Sequence, residues 1–206
     1  MPPSQTRRPI AARSSAWARA LAGWLARSQV TPNQISGFSV LVAGLGAGAL
    51  LILAPIPGLL CFALSIQLRL VCNLLDGMVA VEGGKKSALG ALYNEFPDRL
   101  ADSLLIVAAG YAVGLSWLGW WGALAAALTA YVRVFGGALG LEQRFNGVMA
   151  KPQRMAVLTV AAILGAVEWG IWDTRYALTV GAWLVAVGAS VTCVTRTLEI
   201  ARQLEE

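Results

Sequence analysis

The sequence predicts an all-α integral membrane protein: six transmembrane helices preceded by an N-terminal interfacial amphipathic helix, in a single domain covering residues 1–206. Three observations predict it. The chain is 57% hydrophobic and only 13% charged, where soluble domains carry about 25% charged residues. Apolar stretches long enough to span a bilayer recur between short breaks of Pro, Gly or charge. Lysine and arginine crowd alternate connections and avoid the others, which is the signature of an oriented polytopic protein.

The elements follow in order. Residues 1–10 are polar and contain Pro, and no signal peptide is expected because no apolar run follows Arg7 and Arg8 directly. In residues 13–29, Trp17, Leu21, Trp24 and Leu25 fall at helical spacing, with Arg13, Arg19 and Arg27 off that stripe. This predicts a helix lying in the membrane interface with Trp at headgroup level. The alternative is an ordinary surface helix on the bundle. Val30, Thr31, Pro32 and Asn33 end that helix and begin the next. Thr31 or Asn33 is the candidate cap, with Pro in the first turn.

Residues 34–53 form the first span, nearly uncharged and rich in the small residues that suit close helix packing in lipid. Pro55, Ile56, Pro57 and Gly58 end it. Residues 58–81 form the second span, with Arg69, Asn73 and Asp76 toward its end, and residues 82–86 turn the chain. Residues 88–114 form the third span, which begins with Asn94, Glu95, Asp98 and Asp102 and finishes apolar. Residues 117–140 form the fourth, opened by a belt of Trp117, Trp120 and Trp121. Residues 141–154 read as a basic loop, and residues 155–172 and 176–201 as the last two spans.

Six spans put both termini on one side. That side holds Arg7, Arg8, Arg13, Arg19, Arg27, Lys85, Lys86, Arg144, Lys151, Arg154 and Arg202, and the opposite connections hold only Arg175. Both termini are therefore expected in the cytoplasm. The net charge of +5 then reflects topology and anionic headgroups rather than nucleic acid. The chain has no histidine, so proton transfer and metal binding fall to carboxylates. Cys61, Cys72 and Cys193 lie in apolar segments with no CxxC pair and read as small apolar residues.

The informative stretch is 69–102. A carboxylate at the centre of a bilayer costs about 2.5–3.5 kcal/mol on insertion scales, so its default reading is functional. Neighbours on one helix face are three and four residues apart. Arg69, Asn73, Asp76 and Ala80 follow that rule on the second span, with Gly77 beside Asp76 allowing close approach to the backbone. Asn94, Asp98 and Asp102 follow it on the third, with Glu95 alongside and Gly90 one turn before. Two facing helices then offer carboxylates and amide oxygens to one cavity. That is the ligand set of a hard divalent cation, often bound together with substrate phosphates. Arg69, Arg133, Arg144, Lys151 and Arg154 are candidates for holding the rest of a phosphorylated ligand. The competing structural reading makes Asn73 a helix–helix contact and pairs Asp98 or Glu95 with Arg99 or Arg69 inside the bundle.

The pattern N-x2-D-G-x2-A-x9-G-x3-N-x3-D, running Asn73, Asp76, Gly77, Ala80, Gly90, Asn94 and Asp98, resembles the signature of the CDP-alcohol phosphatidyltransferases, D-x2-D-G-x2-A-R-x8-G-x3-D-x3-D. Six spans behind an interfacial helix, and the T-P-N-Q-I-S opening of the first span, resemble that family too. The first and third signature aspartates are Asn73 and Asn94 here, and the signature arginine is Val81. This variant resembles a divergent bacterial branch. The resemblance implies a bacterial cytoplasmic membrane, Mg²⁺ (or Mn²⁺) as cofactor, and a homodimer. It implies a CDP-linked lipid donor, CDP-diacylglycerol, and an acceptor alcohol. Asp76 becomes a metal ligand and Asp98 both ligand and general base. Asn73 and Asn94 contribute only neutral oxygens, so two divalent ions should bind more weakly. Glu95 and Asp102 are candidates for restoring the charge, and Lys151 and Arg154 for holding an acceptor phosphate. The implied reaction is attack of the acceptor oxygen on the lipid-side phosphorus, with CMP leaving. The rivals are an impaired family member that binds without transfer, and an ion-conducting protein. The latter fits poorly, because the polar residues occupy one half of the membrane only.

Overall fold

A computed structural model describes residues 15–85, 87–141 and 147–205. The expectations for residues 1–14, Lys86 and Arg144 fall outside them. The described chain is helical: α1 (Ala16–Arg27), α2 (Pro32–Ile52), α3 (Pro55–Glu82), α4 (Gly90–Ala112), α5 (Ser116–Ala138), α6 (Lys151–Trp172) and α7 (Tyr176–Glu205). Each long helix packs beside two others in the cyclic order α2, α3, α6, α7, α5, α4, which closes back on α2. α4 also touches α7 across the ring, and α1 lies against α3. The polar residues of 69–102 therefore sit at one end of a closed bundle.

Local chemistry starts and stops these helices as expected. Thr31 caps α2. Its hydroxyl accepts from Gln34 N at 3.3 Å while Gln34 Oε1 accepts from Thr31 N at 2.9 Å, a reciprocal capping box with Pro32 just inside. Lys85 closes α1, its Nζ donating to the carbonyl oxygens of Ser28 at 2.5 Å and Val30 at 3.1 Å. A cation at a helix C-terminus satisfies carbonyls that have no partner within the helix.

Close approach depends on missing side chains. A Cβ on Gly110 of α4 would lie 2.5 Å from the backbone of Gly119 on α5, and one on Gly46 of α2 would lie 1.7 Å from Ser65 Oγ on α3. Small residues of this kind bring helices together where lipid supplies no hydrophobic drive. The inner core runs through Phe62, Ile66, Leu105, Met155, Leu158 and Val185, all buried. Leu45, Leu64, Leu124, Ile171 and many other large apolar side chains face outward, as a bilayer requires.

Three expectations are adjusted. Among the described residues, five helices are by length and composition able to cross a membrane: α2, α3, α5, α6 and α7. α4 is also 23 residues long, but Glu95, Asp98, Arg99 and Asp102 load its first half with charge. Second, α6 starts at Lys151, not near residue 155, because Pro152 suits a first turn. Lys151 and Arg154 thus belong to a helix rather than a loop. Third, α7 continues to Glu205, beyond the span ending expected at residue 201. α1 meets the bundle through Ala18 and Ala22, which are buried, while Trp17 and Trp24 remain exposed, Trp24 at 60%. Of the expected stripe, Trp17, Leu21 and Trp24 face outward and Leu25 packs inward.

Candidate active site

Asp98 is the hub. It lies on the inner face of α4, buried, directly after Pro97. Three elements bring donors to it. From α3, Asn73 Nδ2 donates to Asp98 Oδ1 at 2.6 Å, and Arg69 Nη2 reaches the same oxygen at 3.4 Å and the Asp98 backbone carbonyl at 3.2 Å. From the first turn of α6, Lys151 Nζ donates to Asp98 Oδ2 and, at 3.0 Å, to Asn73 Oδ1. Arg99 Nη2 stands 3.9 Å from Oδ2. The sequence pattern placed Asn73 and Asp98 on facing helices, and they touch.

Asp76 lies one turn further along α3 and is buried. Ser36 Oγ of α2 donates to its Oδ2 at 2.6 Å. Its Oδ1 is buried and has no hydrogen-bond partner among the described residues. An anionic oxygen in that state is costly unless a cation or donor reaches it, so the chemistry of Asp76 fits a divalent ion. Among the described residues no three His, Cys, Asp or Glu side chains are grouped as a metal cluster. The donor set here is instead Asp76 and Asp98, with amide oxygens nearby. Asn94, expected beside them, is exposed one turn before Asp98, and Gly90, Gly77 and Ala80 are partly buried.

Asp102 and Glu95 do not sit as the expectation of replacement metal ligands requires. Asp102 is 3% exposed and held between two arginines: Oδ1 lies 2.5 Å from Arg69 Nη2, and Oδ2 accepts from Arg154 Nη2 at 2.9 Å. Both oxygens are engaged. Glu95 pairs with Arg133 at 2.6 Å and with Arg99 at 3.4 Å. The physical reason is the surplus of buried arginine. A guanidinium in a low-dielectric interior needs a counter-ion, and these acids are within reach. Arg69 and Arg154, expected to face a ligand, are correspondingly turned onto Asp102. Arg154 also donates to Met149 O at 2.9 Å. The bundle ion pairs weighed as the structural reading, Arg69 with Asp98 and Arg99 with Glu95, are both present.

Ser36, Thr129 and Thr192 were missed. Ser36 orients Asp76, Thr129 accepts from Arg154 at 3.5 Å and from Arg196 through its carbonyl at 2.7 Å, and Thr192 Oγ1 accepts from Met149 N at 2.9 Å beside the start of α6. The available signal was a hydroxyl in an otherwise apolar span. A cavity of about 250 Å³ with a mixed polar and apolar lining lies at the opposite end, bounded by Leu50, Leu59, Tyr111, Trp169 and Arg175 among others, and touches none of these residues.

A helical bundle with buried carboxylates, amides and cations meeting at one end defines a polytopic membrane protein with a buried polar site. No family model matches the chain. Known proteins do. It is 33% identical over 197 residues to archaetidylinositol phosphate synthase of Aeropyrum pernix, covering 89% of this chain and 90% of that one. It is 28% identical over 195 residues to phosphatidylinositol phosphate synthase of Streptomyces avermitilis, covering 90% and 78%. The fold matches a crystal structure of Mycobacterium tuberculosis phosphatidylinositol phosphate synthase with CDP-DAG bound, with TM-score 0.75 and 23% identity over 90% of this chain and 94% of that one. Another structure of that protein, in complex with manganese and citrate, matches with TM-score 0.74 at 24% identity over 89% of this chain and 88% of that one. The chain belongs to the CDP-alcohol phosphatidyltransferases, membrane enzymes of phospholipid synthesis.

Proposed function

We propose that this protein transfers a phosphatidyl-type group from CDP-diacylglycerol to a hydroxyl of inositol phosphate, releasing CMP. The observation that carries the reading is the charge balance around Asp98. Arg69, Arg99, Arg133, Lys151 and Arg154 outnumber Asp76, Glu95, Asp98 and Asp102, and pair with the last three. A site that is cationic before substrate arrives favours a diphosphate donor and a phosphorylated acceptor together. The relatives' names support the acceptor. They differ in lipid, phosphatidyl against archaetidyl, and agree on inositol phosphate.

Asp98 is the proposed base. The acceptor hydroxyl gives it a proton, the freed oxygen bonds to the lipid-side phosphorus, and the phosphorus–oxygen bond to CMP breaks. Its three donors fix the carboxylate and leave it buried, so an incoming hydroxyl displaces one of them. Asp76 would hold Mg²⁺ or Mn²⁺, with Asp98 beside it, and the ion would supply charge neutralisation at the diphosphate. Asn73 presents its amide to the same region, and Asn94 lies exposed one turn before Asp98. Arg69, Lys151 and Arg154 line the cationic side, and Gly77, Ala80 and Gly90 keep the backbone accessible. Asp102 and Glu95 serve as counter-ions to arginine. Six spans, with α4 counted among them because its charge faces the bundle, place this site at the cytoplasmic end with both termini, and α1 lies in the interface. The family resemblance extends the proposal to a homodimer in a bacterial cytoplasmic membrane.

The two asparagines favour one second reading, an impaired member that binds donor without transfer. CMP release from CDP-diacylglycerol by the purified protein, with Mg²⁺ or Mn²⁺ and a panel of acceptors, separates the two. Turnover that Asp98→Asn abolishes supports the enzyme. Metal-dependent nucleotide binding without CMP supports the impaired member, and turnover that survives Asp98→Asn removes the assigned base.

A further inference from the structure

The cluster already holds a cation. Lys151 Nζ donates to Asp98 Oδ2 and to Asn73 Oδ1, the latter at 3.0 Å, with its side chain 19% exposed. Asn73 turns its amide hydrogens onto Asp98 Oδ1 at 2.6 Å. An aspartate at position 73 would offer no hydrogens there and would repel Asp98. The amide and the ammonium are therefore complementary: one carbonyl oxygen accepts from lysine, one amide donates to the carboxylate. By contrast, Asp76 keeps a buried oxygen with no partner. The two sides of the site differ in kind, one filled by an ammonium and one open to an ion.

Charge leads to the same conclusion. Two divalent ions would set four positive charges on two carboxylates, with an ammonium and the Arg69 guanidinium beside them. In a weakly screened interior such repulsion is large. A single divalent ion at Asp76, with Lys151 at Asp98, leaves a far smaller excess. We propose that Lys151 takes the place of one of two divalent cations, so that the protein binds a single divalent ion on the Asp76 side. In this account Asn73 is a selected partner for lysine rather than a lost ligand. Lys151 then lends fixed positive charge to the donor's diphosphate. That last clause rests on the transfer reading, whereas the ion count does not.

The test is Mn²⁺ titration of the full-length protein in nanodiscs, followed by electron paramagnetic resonance. The wild type is expected to bind a single ion with the spectrum of an isolated Mn²⁺. The Asn73→Asp/Asn94→Asp/Lys151→Ala protein is expected to bind two, with the broadening of a coupled pair. Two ions in the wild type overturn the proposal, and so does no binding. A wild type and triple variant that both bind one ion also overturn it, since lysine and amides then exclude nothing. Should the triple variant not fold, Lys151→Met alone decides: unchanged stoichiometry with tighter Mn²⁺ binding supports the proposal, and unchanged affinity overturns it. CMP release is measured separately. One bound ion without CMP release removes the transfer reading and keeps this inference, and two bound ions with CMP release do the reverse.

Discussion

Replacing Asp102 by Asn tests how the buried charges are shared. Asp102, Arg69 and Arg154 are 3%, 0% and 3% exposed. Asn fills the same volume, so no cavity opens, and the change is confined to charge. It leaves Arg69 with Asp98 at 3.4 Å as its remaining acid and Arg154 with only the Met149 carbonyl and Thr129. Removing one partner from a buried ion pair costs about 3–5 kcal/mol because an uncompensated charge stays behind. That corresponds to roughly a 10²- to 10⁴-fold fall in the folding equilibrium constant. Equilibrium unfolding in mixed micelles, followed by tryptophan fluorescence, measures it. Arg154→Met in the Asp102→Asn background should cost less than the two single changes added, because the second removes the charge the first exposed. Mn²⁺ affinity of the folded Asp102→Asn protein should stay near that of the wild type. Wild-type stability together with lost Mn²⁺ binding would refute the counter-ion assignment and restore Asp102 as a metal ligand.

Other consequences follow from close contacts and topology. Gly110→Ala forces α4 and α5 apart, since its Cβ would meet Gly119 at 2.5 Å; overpacking of this kind costs about 1–3 kcal/mol. Gly48→Ala, which meets no atom within 4 Å, should leave the unfolding midpoint unchanged or raised. Ser36→Ala removes the hydroxyl that donates to Asp76 at 2.6 Å. A hydrogen bond to a charged group is worth about 1.5–3 kcal/mol, so turnover and Mn²⁺ affinity should both fall with circular dichroism unchanged. In a cysteine-free background, a cysteine at Tyr176 should react with an impermeant maleimide added outside intact cells, and one at Ser87 only after lysis. The reverse pattern overturns the proposed orientation.

The outline of the bundle was legible because its signals are local. Pro32 marks a helix start, Pro55 marks the break between two spans, and apolar runs of spanning length fill the intervals; Pro152, inside a stretch expected as a loop, opens α6. The facing of Asn73 and Asp98 was legible too, from spacing on two consecutive helices. What spacing does not carry is the partner of each charge. Arg154 lies 52 residues from Asp102, and only the closure of α6 onto α3 brings it there. Three- and four-residue periodicity therefore put Asp102 on the correct face and left its role open. The stripe of Trp17, Leu21 and Trp24 was legible as an outward-facing surface, whereas the face that meets α3 was not. That contact is made by Ala18, Ala22 and the partly buried Leu25, because small residues permit close approach while large ones meet lipid. Ser36 was hidden for lack of any charge to mark it.

Transfer to a phosphorylated acceptor is tested most directly by mass spectrometry of lipid products formed from CDP-diacylglycerol, Mn²⁺ and either inositol phosphate or inositol. Phosphatidylinositol phosphate is expected in equal amount to CMP, formed with inositol phosphate and absent with inositol. Equal product from unphosphorylated inositol, or CMP with no lipid product, would contradict it.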